Sequence, residues 1–273
     1  MRTYYITSLA ILTLVFLVSS CTEIIDIDIN ASDPEMVVEA TIGMDETANV
    51  VLTRTIGLDD TNDFSNVENA VVTISDNEGN SEILTEEMPG VYKSKTMLGQ
   101  VGRTYNLKVE SDAKIISSIC KIPDYVAIDS LSVVNSIYPG GGGPMGNMQS
   151  ADFYEINVTY TDPVNELNYY RLILFLNGVP QSGNHVYDDR FINGNQVTNT
   201  LIMYNPEVKA GDKIMGEMEC FDKSVFEYFK SMGNSAMGPR NSSSPANPYT
   251  NLTGTLLGFF SAHTVERKEY IVP

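Results

Sequence analysis

The sequence predicts a mainly all-β protein built as two β-sandwich domains in tandem. Apolar residues alternate at period two from Met36 onward, turn residues separate the runs at roughly 8 to 12 positions, and only one stretch repeats at helical spacing. With 273 residues, 42% hydrophobic and 19% charged, the chain has the length and apolar content for two modest cores. The balance of 17 Lys plus Arg against 35 Asp plus Glu gives a formal charge of −18, which excludes the basic footprint of a nucleic-acid binder. Two histidines leave little room for histidine-based catalysis or a His-rich metal site.

Residues 1–20 differ from all that follows: Arg2 is their one cation, Ile6 to Val18 is apolar, and no acid occurs. This is the pattern of a secretory signal, and the run is shorter than the roughly 20 apolar residues a membrane-spanning helix needs. It ends in Leu17-Val18-Ser19-Ser20-Cys21, which resembles the bacterial lipobox, in which the cysteine is acylated and becomes the first residue. Cys21 is thus the expected lipidation site, and palmitate-type acyl chains there would anchor the protein without spanning the membrane. Without residues 1–20 the chain holds 16 cations against 35 anions, a net charge of −19, so electrostatics does not hold it to an anionic lipid surface. Residues 21–35 read as a lipid-anchored acidic linker; Glu23, Asp26 and Asp28 resemble the export signal that sends lipoproteins of Bacteroidota to the outer face of the outer membrane.

The first domain is expected over 36–123, as an immunoglobulin-like sandwich. Met36, Val38, Ala40 and Ile42 alternate with outward positions, as do Val50 and Leu52, then Val71 and Thr73. Asp76-Asn77-Glu78-Gly79-Asn80, Pro89-Gly90 and Gly99 to Gly102 supply turns, so Ala70–Ser75, Ser81–Thr85, Gly90–Lys93 and Thr104–Val109 read as a series of hairpins.

The second domain is expected over 124–273. Its first hairpin is interrupted by a loop holding Tyr138, Gly140, Gly141, Gly142, Gly143, Met145 and Met148. The loop lacks the strand-to-helix context and Lys-Ser/Thr ending of a phosphate-binding loop, which leaves a flexible hairpin loop or a partner-contact loop. Strands resume at Phe153–Tyr160, Tyr169–Leu176, Val197–Tyr204 and Lys213–Cys220. Asp222 then caps one short packed helix over 223–232, with Val225, Phe226, Phe229 and Met232 on one face and Gly233 as its stop. A polar loop over 234–251 follows, then a strand through Leu256, Gly258, Phe260 and Ala262, and a last strand over Glu269–Val272.

Little in the sequence points to catalysis. His185 and His263 have no metal-ligand spacing to another His or Cys, and neither a Gly-x-Ser-x-Gly elbow nor a His-Glu-x-x-His helix occurs. The acidic run Asp59-Asp60-Thr61-Asn62-Asp63 offers oxygen ligands for Ca²⁺, but it lacks the EF-hand spacing and its Gly and reads rather as a solvated turn. The expectation is no catalytic residue, no metal and no cofactor. Cys120 and Cys220 remain once Cys21 carries lipid, either bridged as a disulfide or as two separately buried thiols.

Met36-Val37-Val38-Glu39-Ala40, Val71 to Asp76, Pro89-Gly90-Val91-Tyr92 and Gly102-Arg103-Thr104-Tyr105 are similar to segments of a Bacteroidota lipoprotein family, domain of unknown function four-two-four-nine. So are Asp162-Pro163 with Asn168-Tyr169-Tyr170-Arg171, the helix with Phe226, Tyr228 and Phe229, and Pro248 through Ala262. The resemblance implies a surface-exposed outer-membrane lipoprotein associated with a TonB-dependent transporter barrel, and it supplies no catalytic residue. The expected role is a non-catalytic binding or accessory subunit of a TonB-dependent nutrient uptake system. The alternative is a free-standing cell-surface adhesin or structural lipoprotein.

Overall fold

In the computed structural model, residues 33–56, 64–138, 142–143, 146–147, 151–164, 166–204, 208–236, 247–255 and 257–273 are described. Cys21, the signal and the linker up to residue 32 lie outside them, as does the Asp59–Asp63 run. Among the described residues no helix is long and apolar enough to cross a membrane.

Period-two alternation governs the first strands. β1 (Met36–Gly43) buries Met36, Val38, Ala40 and Ile42 and turns Glu39 to solvent. β2 (Thr47–Arg54) runs back along it, with Ala40 opposite Val50. β3 (Val71–Asp76) and β4 (Ser81–Ile83) form a hairpin whose turn is organised by the Asp76 carboxylate. That group accepts the N–H of Glu78 at 3.0 Å and of Asn80 at 2.9 Å, while Gly79 takes the left-handed conformation. β5 (Thr85–Met88) and β6 (Val91–Leu98) form the next hairpin. β7 (Thr104–Ser111) and β8 (Lys114–Lys121) form another, closed by Asp112 and Ala113, both at positive φ. The expected series of hairpins is therefore present, but β7 also pairs with the distant β3.

Beyond these lie β9 (Ile128–Tyr138), the two-residue ladder of β10 (Gly142–Gly143) and β11 (Gly146–Asn147), and β12 (Ala151–Thr161). β13 (Tyr169–Leu176), β14 (Val179–Pro180), β15 (His185–Asp188), β16 (Gln196–Tyr204) and β17 (Lys213–Phe221) follow. A helix spans Lys223–Ala236, and β18 (Gly258–Ile271) closes the chain as one 14-residue strand where the sequence suggests two. The helix runs past Gly233, which is not a stop but a contact point: a Cβ there would lie 2.9 Å from Asn184 Nδ2, which donates to the Phe229 carbonyl one turn earlier.

Four sheets result. One nine-stranded sheet has the order β14-β13-β17-β18-β1-β2-β6-β5, with β15 also beside β13. A four-stranded sheet, β4-β3-β7-β8, and a three-stranded sheet, β16-β12-β9, accompany it with the small β10-β11 ladder. Each of the two larger companions shares a core with one part of the nine-stranded sheet. Val38, Ile42, Leu52 and Tyr92 pack with Val72, Ile74, Leu107 and Ile116 in the first core. Tyr170, Leu172, Ile214 and Met218 pack with Ile128, Ile156, Val158 and Leu201 in the second. The architecture is thus all-β and sandwich-like with one packed helix.

The boundary expected at 123/124 does not separate two bodies; Pro34–Pro273 is one compact unit. The reason is a parallel pairing between the first strand and the last, Val38 opposite Gly258 through Gly43 opposite His263. That pairing makes one sheet serve both cores. It also carries Phe260 and Ala262, with helix residues Val225, Phe226 and Phe229, into the first core.

Candidate functional site

The segment after the helix is stitched to strands from both halves of the chain. Thr253 and Ser117 exchange backbone hydrogen bonds of 2.8 and 3.1 Å, and their hydroxyls meet at 2.8 Å. Asn251 holds β18 by accepting the Phe260 N–H at 3.0 Å and donating to the Phe260 carbonyl at 2.7 Å. Gly254 makes the approach possible: its φ is +89°, and a Cβ there would lie 2.2 Å from the Ile115 carbonyl oxygen. Thr255 completes the tie by donating its hydroxyl to the Met36 carbonyl at 2.8 Å.

Between this segment and the starts of β1 and β8 lies an open groove of about 540 Å³, lined by Glu35, Met36, Lys114, Ile116, Leu252 and Thr255 among others. Its walls offer one cation, one anion and aliphatic surface, the chemistry of a peptide or protein contact. The solvent face of the four-stranded sheet is mixed: Asn106, Lys108 and Glu110 run along β7, and exposed aliphatic side chains stand on the strands around them. Ile83 is 66% exposed, Ile115 59%, Ile119 65% and Val71 46%. Register places them on one face: Val71 is level with Glu110 and Ile115, Thr73 with Ile83 and Lys108, and Asn106 with Ile119. Four large aliphatic side chains thus share this solvent face with the Lys108–Glu110 ion pair.

The richest set of reactive side chains lies elsewhere. Ser261 Oγ and His263 Nδ1 are 3.1 Å apart, and His263 Nε2 is 3.9 Å from Glu219 Oε1. Glu219 also takes a 3.3 Å bond from Arg171, whose guanidinium lies 4.1 Å over the Phe229 ring. Ser261 is 3% and His263 7% exposed, so this hydroxyl has no open approach for a substrate and the set fastens β13, β17 and β18 under the helix. The partners of His263 come from strands remote in sequence, so local spacing did not reveal them. His185 is half-buried on β15, and burial alone lowers its pKa.

Cys120 and Cys220 are both free and buried, and the disulfide alternative is not formed. The physical reason is that they serve different cores. The Cys120 thiol donates to Asp222 Oδ2 at 3.1 Å, while Cys220 packs with Tyr170 and Val158 in the second core. Of the Tyr138 to Met148 loop, the described backbone shows Gly142–Gly143 paired with Gly146–Asn147; the side chains of Tyr138, Met145 and Met148 lie outside the described residues. Among the described residues no group of three or more His, Cys, Asp and Glu gathers as a metal site.

Fold and surface together define a mainly-β, sandwich-like protein with exposed aliphatic side chains on one sheet face and an open groove lined by Met36, Ile116 and Leu252 with Glu35 and Lys114. The chain belongs to the family described as "Domain of unknown function (DUF4249)", whose model matches residues 22–269, nearly all of it. No curated protein matches it. Among solved structures, a DUF4785 family protein from Legionella pneumophila is similar with a TM-score of 0.22 and 8% identity, over 69% of this chain and 52% of that one. The chain thus spans about half the length of that protein.

Proposed function

We propose that the protein is a surface-exposed outer-membrane lipoprotein that acts as a non-catalytic binding or accessory subunit of a TonB-dependent nutrient uptake system. The observation that carries the reading is the set of exposed aliphatic side chains Val71, Ile83, Ile115 and Ile119 on one sheet face, together with the open groove at Met36 and Leu252. Such a face is costly in water, at about 25 cal/mol per Å² of apolar surface, and a protein partner covering it recovers that cost. The signal ending in Cys21 supplies the anchor, and the family resemblance points to a transporter barrel as the partner.

Affinity purification of the lipoprotein from gently solubilised outer membranes tests this. Recovery of a TonB-dependent barrel, weakened by Ile115→Asp with Ile119→Asp while the protein stays in the membrane fraction, is the expected result. Repeated recovery without a barrel overturns it. Binding of the isolated mature chain to host matrix or neighbouring cells instead supports the free-standing adhesin.

A further inference from the structure

The second core ends in a group of buried oxygen ligands that the interaction surface does not use. Asp162 follows β12, Asn168 precedes β13 and Asp189 follows β15; they are 1%, 4% and 0% exposed. Pairing of β13 with β15, Tyr169 opposite Asp188, brings their two loops together. Asp162 accepts the Tyr170 hydroxyl and, at 3.0 Å, the Gly194 N–H. Asp189 Oδ2 accepts the Asn168 N–H at 2.9 Å.

What remains is unbalanced. Asp189 Oδ1 and Asn168 Oδ1 are both fully buried and have no hydrogen-bond partner. A buried acceptor without a donor, next to two buried carboxyls, is rare unless a ligand completes the site. The cation nearest in sequence, Arg190, is engaged by Asp188 at 2.8 Å.

We propose that Asp162, Asn168 and Asp189 form a calcium site that ties the loop before β13 to the loop after β15. The donor set is hard and oxygen-only: two carboxylates and one side-chain amide. That set suits calcium, which accepts six to eight oxygens in flexible geometry, better than magnesium or a nitrogen- and sulfur-seeking metal. Two carboxylates put the affinity at the weak end of protein calcium sites, about 10⁻⁴ to 10⁻³ M. This inference is independent of the proposed transporter contact.

The test uses the purified full-length chain, stripped with chelator. Added calcium is expected to raise the unfolding temperature saturably, with a midpoint near millimolar and a weaker response to magnesium. Terbium is expected to show luminescence excited through tyrosine, because the Tyr170 hydroxyl is bonded to Asp162, and calcium should displace it. Asp189→Asn, which removes a charge without changing shape, should abolish both responses with the circular dichroism unchanged. Asn168→Asp, which adds a charged ligand, should lower the calcium midpoint about tenfold, and it decides the matter if Asp189→Asn does not fold. The proposal is overturned if calcium leaves the unfolding temperature unchanged, as it would if a proton fills the pocket. Terbium luminescence that persists in Asp189→Asn also overturns it, since that signal reports the acidic surface.

Discussion

Asp222 Oδ2 accepts the thiol hydrogen of Cys120 at 3.1 Å, while Asp222 Oδ1 accepts the N–H groups of Ser224 at 2.9 Å and Val225 at 3.2 Å. One carboxylate therefore caps the helix and fastens that cap to β8, a strand a hundred residues earlier. The helix buries Val225, Phe226, Tyr228 and Phe229, so its entry angle decides how they seat.

Replacing Asp222 with Ala should lower the stability by about 1–2 kcal/mol, the cost of a lost cap. Asp222→Asn, which keeps an acceptor for Ser224, should cost less. Urea unfolding checks both, with a lower midpoint and an unchanged slope expected.

Both thiols should resist alkylation in the folded protein. Burial raises the Cys120 thiol well above its usual value, with Asp222 adding to the shift, and burial pushes Cys220 up to about 12. After denaturation, titration should find Cys120 and Cys220 both free; under the proposed lipidation of Cys21 the total is two in the processed protein and three in unprocessed precursor. A folded protein that yields none even when denatured would instead contain the bridge.

Gly254→Ala should destabilise the protein by more than about 1 kcal/mol, because it combines a left-handed backbone with a Cβ placed against the Ile115 carbonyl. The damage should concentrate where Thr253 meets Ser117, and hydrogen exchange of the Ser117 and Thr253 amides reads it directly. Gly79→Ala, also left-handed but with open space around it, separates the backbone cost from the steric one.

Acid should weaken the first core's rim. Burial pushes the Asp76 carboxyl up, but the Asn80 and Glu78 hydrogen bonds and the Arg103 guanidinium outweigh it and hold it below its ordinary 3.8. Burial likewise opposes, and the N–H groups of Lys95, Met97 and Thr96 with the Thr96 hydroxyl win, at Glu82, held below 4.5. Since both folded values are depressed, their stabilisation is present above the unfolded values and is lost as pH falls through the folded ones. Unfolding temperature should drop steeply below about pH 4, and Asp76→Asn should flatten that drop while lowering stability at neutral pH.

Much of the fold was legible where it is local. Alternation placed Met36, Val38, Ala40 and Ile42 on a buried face, and the cap at Asp222 was evident from its position before an apolar helical repeat. Partnership was not legible. Alternation names the buried face of β1 but not β18 as its neighbour, and so does not show that one sheet joins the two cores. The exposure of Ile115 and Ile119 was equally hidden, because Lys114-Ile115-Ile116-Ser117-Ser118-Ile119 has apolar residues on both faces of its strand. The turn at Asp112 and Ala113 has no mark in the sequence, because alanine seldom takes a positive φ.

The parallel pairing of β1 with β18 also sets a timetable. During synthesis the first strand leaves the ribosome some two hundred residues before the strand that will flank it, so one side of β1 waits with unsatisfied N–H and C=O groups. The early hairpins can close on their own, but the sheet that holds both cores together is finished only when the final strand arrives. A chain stopped before Gly258 should therefore persist as an aggregation-prone intermediate, and holdase chaperones would meet it with β1 still open.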